Sequence, residues 1–123
     1  MNKTAKTANT RKTGSDYENV ACEYLKKNGY EIIEQNFRCR IGEIDIVAKD
    51  REYLCFIEVK YRKYKSSGYA SEAVNARKQR VIINVAQYYL LKHHISDTYP
   101  CRFDVVAIDN KDIRLLKNAL GGM

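Results

Sequence analysis

Gly42-Glu43-Ile44-Asp45-Ile46-Val47, followed by Phe56-Ile57-Glu58-Val59-Lys60, sets three chemically active side chains into apolar strand sequence. From Ile41 to Lys49 the residues alternate as a half-buried strand does. Ile44, Ile46 and Ala48 are expected on one face, and Glu43, Asp45 and Val47 on the other. Asp50-Arg51-Glu52 reads as a turn. Tyr53 to Arg62 reads as the next strand, and its run Leu54-Cys55-Phe56-Ile57 suits burial on both faces. A hairpin folded near Arg51 brings Asp45 beside Glu58. Glu58 and Lys60, two apart on one strand, point the same way.

Carboxylates held together among apolar residues repel one another, and a buried charge costs several kcal/mol unless it is paired or bound to metal. A Mg²⁺ or Mn²⁺ ion relieves that cost, because hard cations take carboxylate oxygens and retain waters. Asp45 and Glu58 are the expected ligands, with the Val59 carbonyl as a further oxygen. Lys60 is placed to orient an attacking water or to neutralise charge on a phosphate oxygen. A Glu-x-Lys pair on a strand is more often a solvated face, so the spacing alone is weak evidence. The Ile-Asp-Ile-Val strand before it adds the geometric claim.

Upstream, Ser15-Asp16-Tyr17-Glu18 fits a capping box with Ser15 as N-cap and Glu18 at N3. The helix it opens runs to about Asn28, with Tyr17, Val20, Ala21, Tyr24 and Leu25 on one face and Gly29 as terminator. Tyr30 to Arg38 reads as the first strand. Downstream, Lys63 to Ala70 reads as a loop. A helix from about Asn75 to His93 carries the inward stripe Lys78, Ile82, Val85, Ala86 and Tyr89. Arg102–Asp109 and Ile113–Leu116 read as two last strands around an Asn110-Lys111-Asp112 turn. The order α-β-β-β-α-β-β implies an α/β sandwich with a mixed sheet.

The chain of 123 residues fits one domain, expected over 15–123. Residues 1–14 are polar and are expected to be a disordered basic tail. Four of the seven net positive charges lie in that tail, so the basic balance is weak evidence for a polyanionic partner. Cys22, Cys39, Cys55 and Cys101 form no C-x-x-C pair, and His93 and His94 share no zinc spacing with them. Buried thiols in a reducing cytoplasm are expected. No secretory h-region and no apolar run of membrane-spanning length occurs, so the expected location is cytoplasmic and no membrane partner is expected.

Several stretches together resemble a family. Ala21-Cys22-Glu23-Tyr24-Leu25, Asn36-Phe37-Arg38, Gly42-Glu43-Ile44-Asp45, Ile57-Glu58-Val59-Lys60, Ala73-Val74, Arg77-Lys78-Gln79-Arg80 and Arg102-Phe103-Asp104-Val105 span nearly all of the expected domain. Their order resembles the PD-(D/E)xK nuclease superfamily, in its Holliday-junction-resolvase-like branch. More closely, it resembles the YraN-like family of small bacterial proteins. The proline that names the superfamily is absent, since Ile44 precedes Asp45. The resemblance implies a restriction-endonuclease-like three-layer sandwich and a metal-dependent endonuclease acting on DNA, with branched or recombination intermediates as substrates. It implies Asp45, Glu58 and Lys60 as catalytic residues and Asp45, Glu58 and Glu18 as metal ligands.

Around that core, Glu18 has two compatible readings, a helix cap and a metal ligand. Glu43 shares the Asp45 face, and a solvent-facing strand end is expected of it ahead of a supporting place beside the ligands. Arg77 to Arg80, with Lys78, Gln79 and Arg80 foremost, and Arg62, Lys63, Arg38 and Arg40 are expected to meet phosphates. The Tyr and Lys/Arg alternation of residues 61–69 adds stacking to that neutralisation. Asp104 is expected to be a structural partner, and His93 and His94 suit a helix C-terminus. Three functions compete: a Mg²⁺- or Mn²⁺-dependent nuclease, a nucleic-acid-binding module with little or no catalysis, and a protein-interaction domain with a vestigial site. The expected partner is nucleic acid, DNA before RNA, with a homodimer left open.

Overall fold

A computed structural model describes residues 14–62, 76–109 and 112–119. Its elements are α1 (Gly14–Lys27), β1 (Glu31–Arg38), β2 (Glu43–Asp50), β3 (Tyr53–Arg62), α2 (Ala76–Lys92), β4 (Cys101–Asp109) and β5 (Asp112–Leu116). The order is the one the sequence implies. Lys63 and the rest of the 63–75 segment lie outside the described residues, as does the tail up to residue 13.

Helix α1 is described from Gly14 onward, so the described helix includes Gly14 and Ser15. Ser15 then lies inside the first turn, not before it, which removes the expected Ser15 N-cap. Glu18 is turned instead toward Asn36 and Asp45. The far end of α1 closes as a Schellman motif. Gly29 takes φ +90°, its N–H donates to Lys26 O at 3.1 Å, and Tyr30 N–H donates to Leu25 O at 3.0 Å. Helix α2 ends the same way, with His94 N–H on Leu91 O and Ile95 N–H on Leu90 O. There the left-handed position, φ +57°, falls to His94, a residue with a Cβ.

The strands form one open sheet in the order β1-β2-β3-β4-β5. Only β3 and β4 pair in parallel, and the connection that parallel pairing requires contains α2. The parity of β3 divides the core. Cys55, Ile57 and Val59 pack with Ala21, Cys22 and Leu25 of α1, while Leu54 and Phe56 pack with Ile82, Val85, Ala86, Tyr89 and Leu90 of α2. Each helix therefore buries its apolar face against residues of opposite parity on the same strand. Burying one such Leu, Val or Ile side chain stabilises by roughly 1.5–3 kcal/mol. The α2 stripe comes out as Ile82, Val85, Ala86, Tyr89 and Leu90, and Lys78 lies beyond its buried part. Among the described residues, no helix is long and apolar enough to cross a membrane.

Strand β2 departs from simple alternation. Ile46 and Ala48 pack on the α1 side and Val47 on the α2 side, as expected. Ile44 joins Val47 and α2, whereas alternation would send it with Ile46. The change of parity falls at Asp45. Across the β1–β2 ladder, Gln35 pairs Ile46 and Phe37 pairs Ile44, so Asn36 stands opposite Asp45, and Asn36 has φ +56°. Asn tolerates the left-handed region better than most residues with a side chain. The register runs through the Asn36–Asp45 pair unshifted, and the irregularity of the β1–β2 ladder lies between Ile32 and Glu34.

Candidate metal and phosphate site

Strand β2 begins at Glu43, two residues later than its pattern suggests. Residues 39–42 close a tight connection in which Cys39 N–H donates to Gly42 O at 2.9 Å. A Cβ on Gly42 would lie 2.6 Å from Val81 Cγ1 and 3.4 Å from Val85 Cγ2. Gly42 therefore lets α2 approach the start of β2, and that approach brings the first turn of α2 to Asp45 and Glu58.

Backbone pairing of β2 with β3 runs from Asp50↔Tyr53 to Ile46↔Ile57. Beyond it the Asp45 carboxylate accepts the Val59 N–H at 2.8 Å. A side-chain oxygen thus takes the place of a strand carbonyl, and Asp45 is pinned between the two strands where they part. Glu18 from α1, Glu43 and Asp45 each offer a carboxylate oxygen, and these oxygens lie within 4.8 Å of one another. Glu43, read from the sequence as a solvent-facing strand end, is half-buried in this group. Its outer flank carries Arg38, whose Nε lies 3.3 Å from Glu43 Oε1.

Glu58 is buried on the α2 side of β3, and Lys78 Nζ lies 3.2 Å from its Oε2. Lys60 is half-buried two residues further along the strand. Arg38, Cys39, Gly42, Glu43, Asp45, Glu58, Arg77, Lys78 and Val81 line an open cleft of about 700 Å³. Helix α2 has Arg77 and Lys78 in its first turn and no acidic residue there. Cations are disfavoured at a helix N-terminus, where the macrodipole is positive. Arg77 and Lys78 thus add positive charge to this corner of the cleft.

The electrostatics are those of crowded acids. Burial pushes the Asp45 carboxyl up to about 7, Glu58 adds repulsion, the Val59 N–H pulls it back in part, and Glu18 and Glu43 push it further. Glu18 is raised as well, first by burial, with its hydrogen bond to Asn36 opposing and the Glu43 charge reinforcing. A divalent cation fits this donor set. Three carboxylate oxygens already converge, and the repulsion that lifts Asp45 is what a hard cation would cancel. Glu58 reaches the same space through its effect on Asp45 but is held by Lys78.

The sequence-derived residues separate accordingly. Asp45, Glu58, Glu18, Lys78 and Arg38 come together around the cleft. Gln79 is half-buried and Arg80 exposed on the next positions of α2, and neither lines the cleft, whereas Arg77 does. Arg40 is exposed in the β1–β2 connection. Arg62 ends β3, and Lys63 lies outside the described residues. The place of Asn36 opposite Asp45 and that of Glu43 in the acidic cluster are not read from the sequence. The available signal was an Asn inside a strand of β-formers, a residue type that tolerates positive φ.

Asp104 is a structural partner. It accepts Tyr30 Oη at 2.8 Å, Arg102 Nε at 2.9 Å and Asn118 N–H at 2.8 Å, and it is fully buried. Arg102 also reaches Asp50 at 2.7 Å, and Lys117 joins at 3.3 Å. Here the charges are matched: Asp50 is held below its usual value by its hydrogen bond from Arg102. The four cysteines are free thiols, with Cys22 and Cys55 buried and Cys39 and Cys101 half-buried.

Comparison with known proteins gives a consistent family. A family model described as "Uncharacterised protein family UPF0102" matches residues 17–108. A UPF0102 protein of Lachnoclostridium phytofermentans is 49% identical over 111 residues, covering 90% of this chain and 94% of its own. One of Acetivibrio thermocellus is 48% identical over 121 residues, covering 90% and 92% respectively. One of Caldicellulosiruptor bescii is 47% identical over 117 residues, covering 90% and 98%.

Proposed function

The chain belongs to the UPF0102 family, and on that footing we propose that it is a metal-dependent phosphodiesterase acting on nucleic acid, DNA before RNA. The fold we assign it is the restriction-endonuclease-like α/β/α sandwich, since α1 and α2 bury opposite parities of one mixed sheet. The convergence of Glu18, Glu43 and Asp45 within 4.8 Å, at the point where β2 leaves β3, carries the reading.

Asp45, Glu18 and Glu43 would hold Mg²⁺ or Mn²⁺, with Glu58 completing the set once Lys78 turns away. A bound ion of this kind supplies a Lewis acid and a water of lowered pKa. Asp45, fixed by the Val59 N–H, keeps the ligand oxygens at the strand end. Lys60, on the Glu58 side of β3, orients the attacking water or meets charge developing on a phosphate oxygen. Arg77, Lys78 and Arg38 neutralise phosphates along the cleft, helped by the N-terminus of α2. The resemblance seen in the sequence adds branched or recombination intermediates as the substrate form.

A cleavage panel tests this: full-length protein with Mg²⁺ or Mn²⁺ on single-stranded, duplex, flapped and four-way DNA, and on matched RNA. Cleavage is expected only with metal, and only background in Asp45→Ala and Glu58→Ala. Equal trace activity in all three proteins ends the enzyme reading. A second reading, a nucleic-acid-binding module without cleavage, draws on the Lys78–Glu58 ion pair, because a lysine already neutralises the buried Glu58. It predicts salt-sensitive binding that survives Glu58→Ala, with no cleavage by the unaltered protein.

A further inference from the structure

Beside the acidic cluster, two tyrosines stack. Tyr17 of α1 and Tyr61 of β3 have ring centroids 4.0 Å apart and planes within 12° of each other. Tyr17 is half-buried against the α1-side core. Tyr61 remains 44% exposed. One of its faces lies on Tyr17, so that exposure belongs largely to the other face and the edge. A Cβ on Gly14 would sit 3.7 Å from Tyr61 Oη, so the hydroxyl end lies against the start of α1.

The position of the pair matters more than its presence. Tyr17 precedes Glu18, whose carboxyl belongs to the acidic cluster. Tyr61 lies three residues beyond Glu58 on β3 but faces the α1 side of the sheet with Tyr17, the side from which Glu18 reaches the cluster, whereas Glu58 and Lys60 face α2. A nucleic-acid strand whose phosphate sits at the carboxylates and whose chain runs on past Glu18 toward the start of α1 would bring a neighbouring nucleotide to the Tyr17–Tyr61 stack. A flat aromatic face backed by a second parallel ring is rigid, and any base can stack on it irrespective of sequence. Only a base that is not already stacked within a duplex can use it.

We propose that Tyr61, backed by Tyr17, is a stacking site for an unpaired nucleobase next to the phosphate held at the carboxylates. The inference rests on the nucleic-acid reading above and sharpens its substrate class. The preferred nucleic acid carries at least one unpaired nucleotide, as at an overhang, a flap or the opened centre of a branch. Tyr61 acts in binding and touches no reacting atom.

The experiment measures equilibrium binding of full-length protein to two fluorescent DNAs, with Ca²⁺ in place of Mg²⁺. One is a fully paired duplex. The other adds a short single-stranded overhang carrying 2-aminopurine. The unaltered protein should bind the overhang DNA more tightly, by roughly fivefold to a hundredfold, and quench the 2-aminopurine. Tyr61→Phe should keep both effects. Tyr61→Leu should lose both while its affinity for the paired duplex stays within about twofold, which also shows that it folds. A preference or quench that persists in Tyr61→Leu, or that vanishes equally in Tyr61→Phe, overturns the stacking site and leaves the nucleic-acid reading standing. Absence of binding by the unaltered protein to either DNA overturns both.

Discussion

Arg102 reaches Asp50 at 2.7 Å and Asp104 at 2.9 Å, with Lys117 3.3 Å from Asp50. Around Asp45, by contrast, Glu18 and Glu43 bring two more carboxylates within 4.8 Å, and Arg38 and Lys78 pair with Glu43 and Glu58. The two clusters lie on the same sheet and share β2, since Asp45 and Asp50 belong to one strand. Their carboxylates respond in opposite directions: Asp50 is lowered by Arg102, and Asp45 is raised by burial and by its acidic neighbours. A fold that neutralises one set of acids with its own arginine has the means to neutralise the other. On the function proposed above, the crowding at Asp45 is what a position kept for an external cation would show.

Four perturbations test that contrast, from the largest effect to the smallest. Arg102→Met should be the most damaging, because it strands the buried Asp104 and Asp50 without their main cation. A loss of about 3–5 kcal/mol is expected in chemical denaturation, and a loss under about 1 kcal/mol would show that the cluster is not held by that pairing.

Asp45→Asn should act with the opposite sign. The folded-state value of Asp45, about 7, lies above its unfolded value near 3.9, so the folded protein binds that proton more tightly. The penalty is absent below about pH 4, grows between about pH 4 and 7, and is complete above 7. Metal-free protein should thus lose stability between pH 5 and 8, and Asp45→Asn should recover roughly 1–3 kcal/mol at pH 8. Asp50 runs the other way: its lowered value contributes stability above the unfolded pKa, and that stability is lost as pH falls through the folded value. Thermal unfolding across pH separates the two, and a flat profile between pH 5 and 8 would remove the contrast.

Gly42→Ala should cost about 1–3 kcal/mol by forcing α2 away from β2. It should weaken divalent-cation binding too, which an equivalent destabilisation elsewhere in the core would not do. His94→Gly, remote from both clusters, should stabilise by roughly 0.5–1 kcal/mol by relieving a left-handed residue, with cation affinity unchanged.

The sequence made much of this legible where information is local. Strand β3 runs from Tyr53 to Arg62 as its pattern indicates, and the α-β-β-β-α-β-β order follows from period and turn chemistry. The Asp45–Glu58 neighbourhood follows from a hairpin with a short turn. What escaped depends on distant packing. Glu43 joins the cluster where β2 changes packing side between Ile44 and Ile46, and simple alternation does not anticipate that change. Glu18, read as either a cap or a ligand, reaches the cluster from α1, and only the packing of that helix on the sheet decides between the two. Arg77 lines the cleft in place of Arg80 because Gly42 fixes how α2 meets the sheet. The Arg102 network joins Tyr30, Asp50 and Asp104 across three strands' worth of sequence, and only the folded sheet puts them in reach.

The account stands most directly on whether the crowded carboxylates take a cation. Titration calorimetry of full-length protein with Mn²⁺ at pH 7.5 should show one saturable site, lost in Asp45→Asn and retained in Asp112→Asn, a change on the exposed start of β5. Absence of heat and of Mn²⁺-induced stabilisation in the unaltered protein, or equal binding by Asp45→Asn, would contradict it.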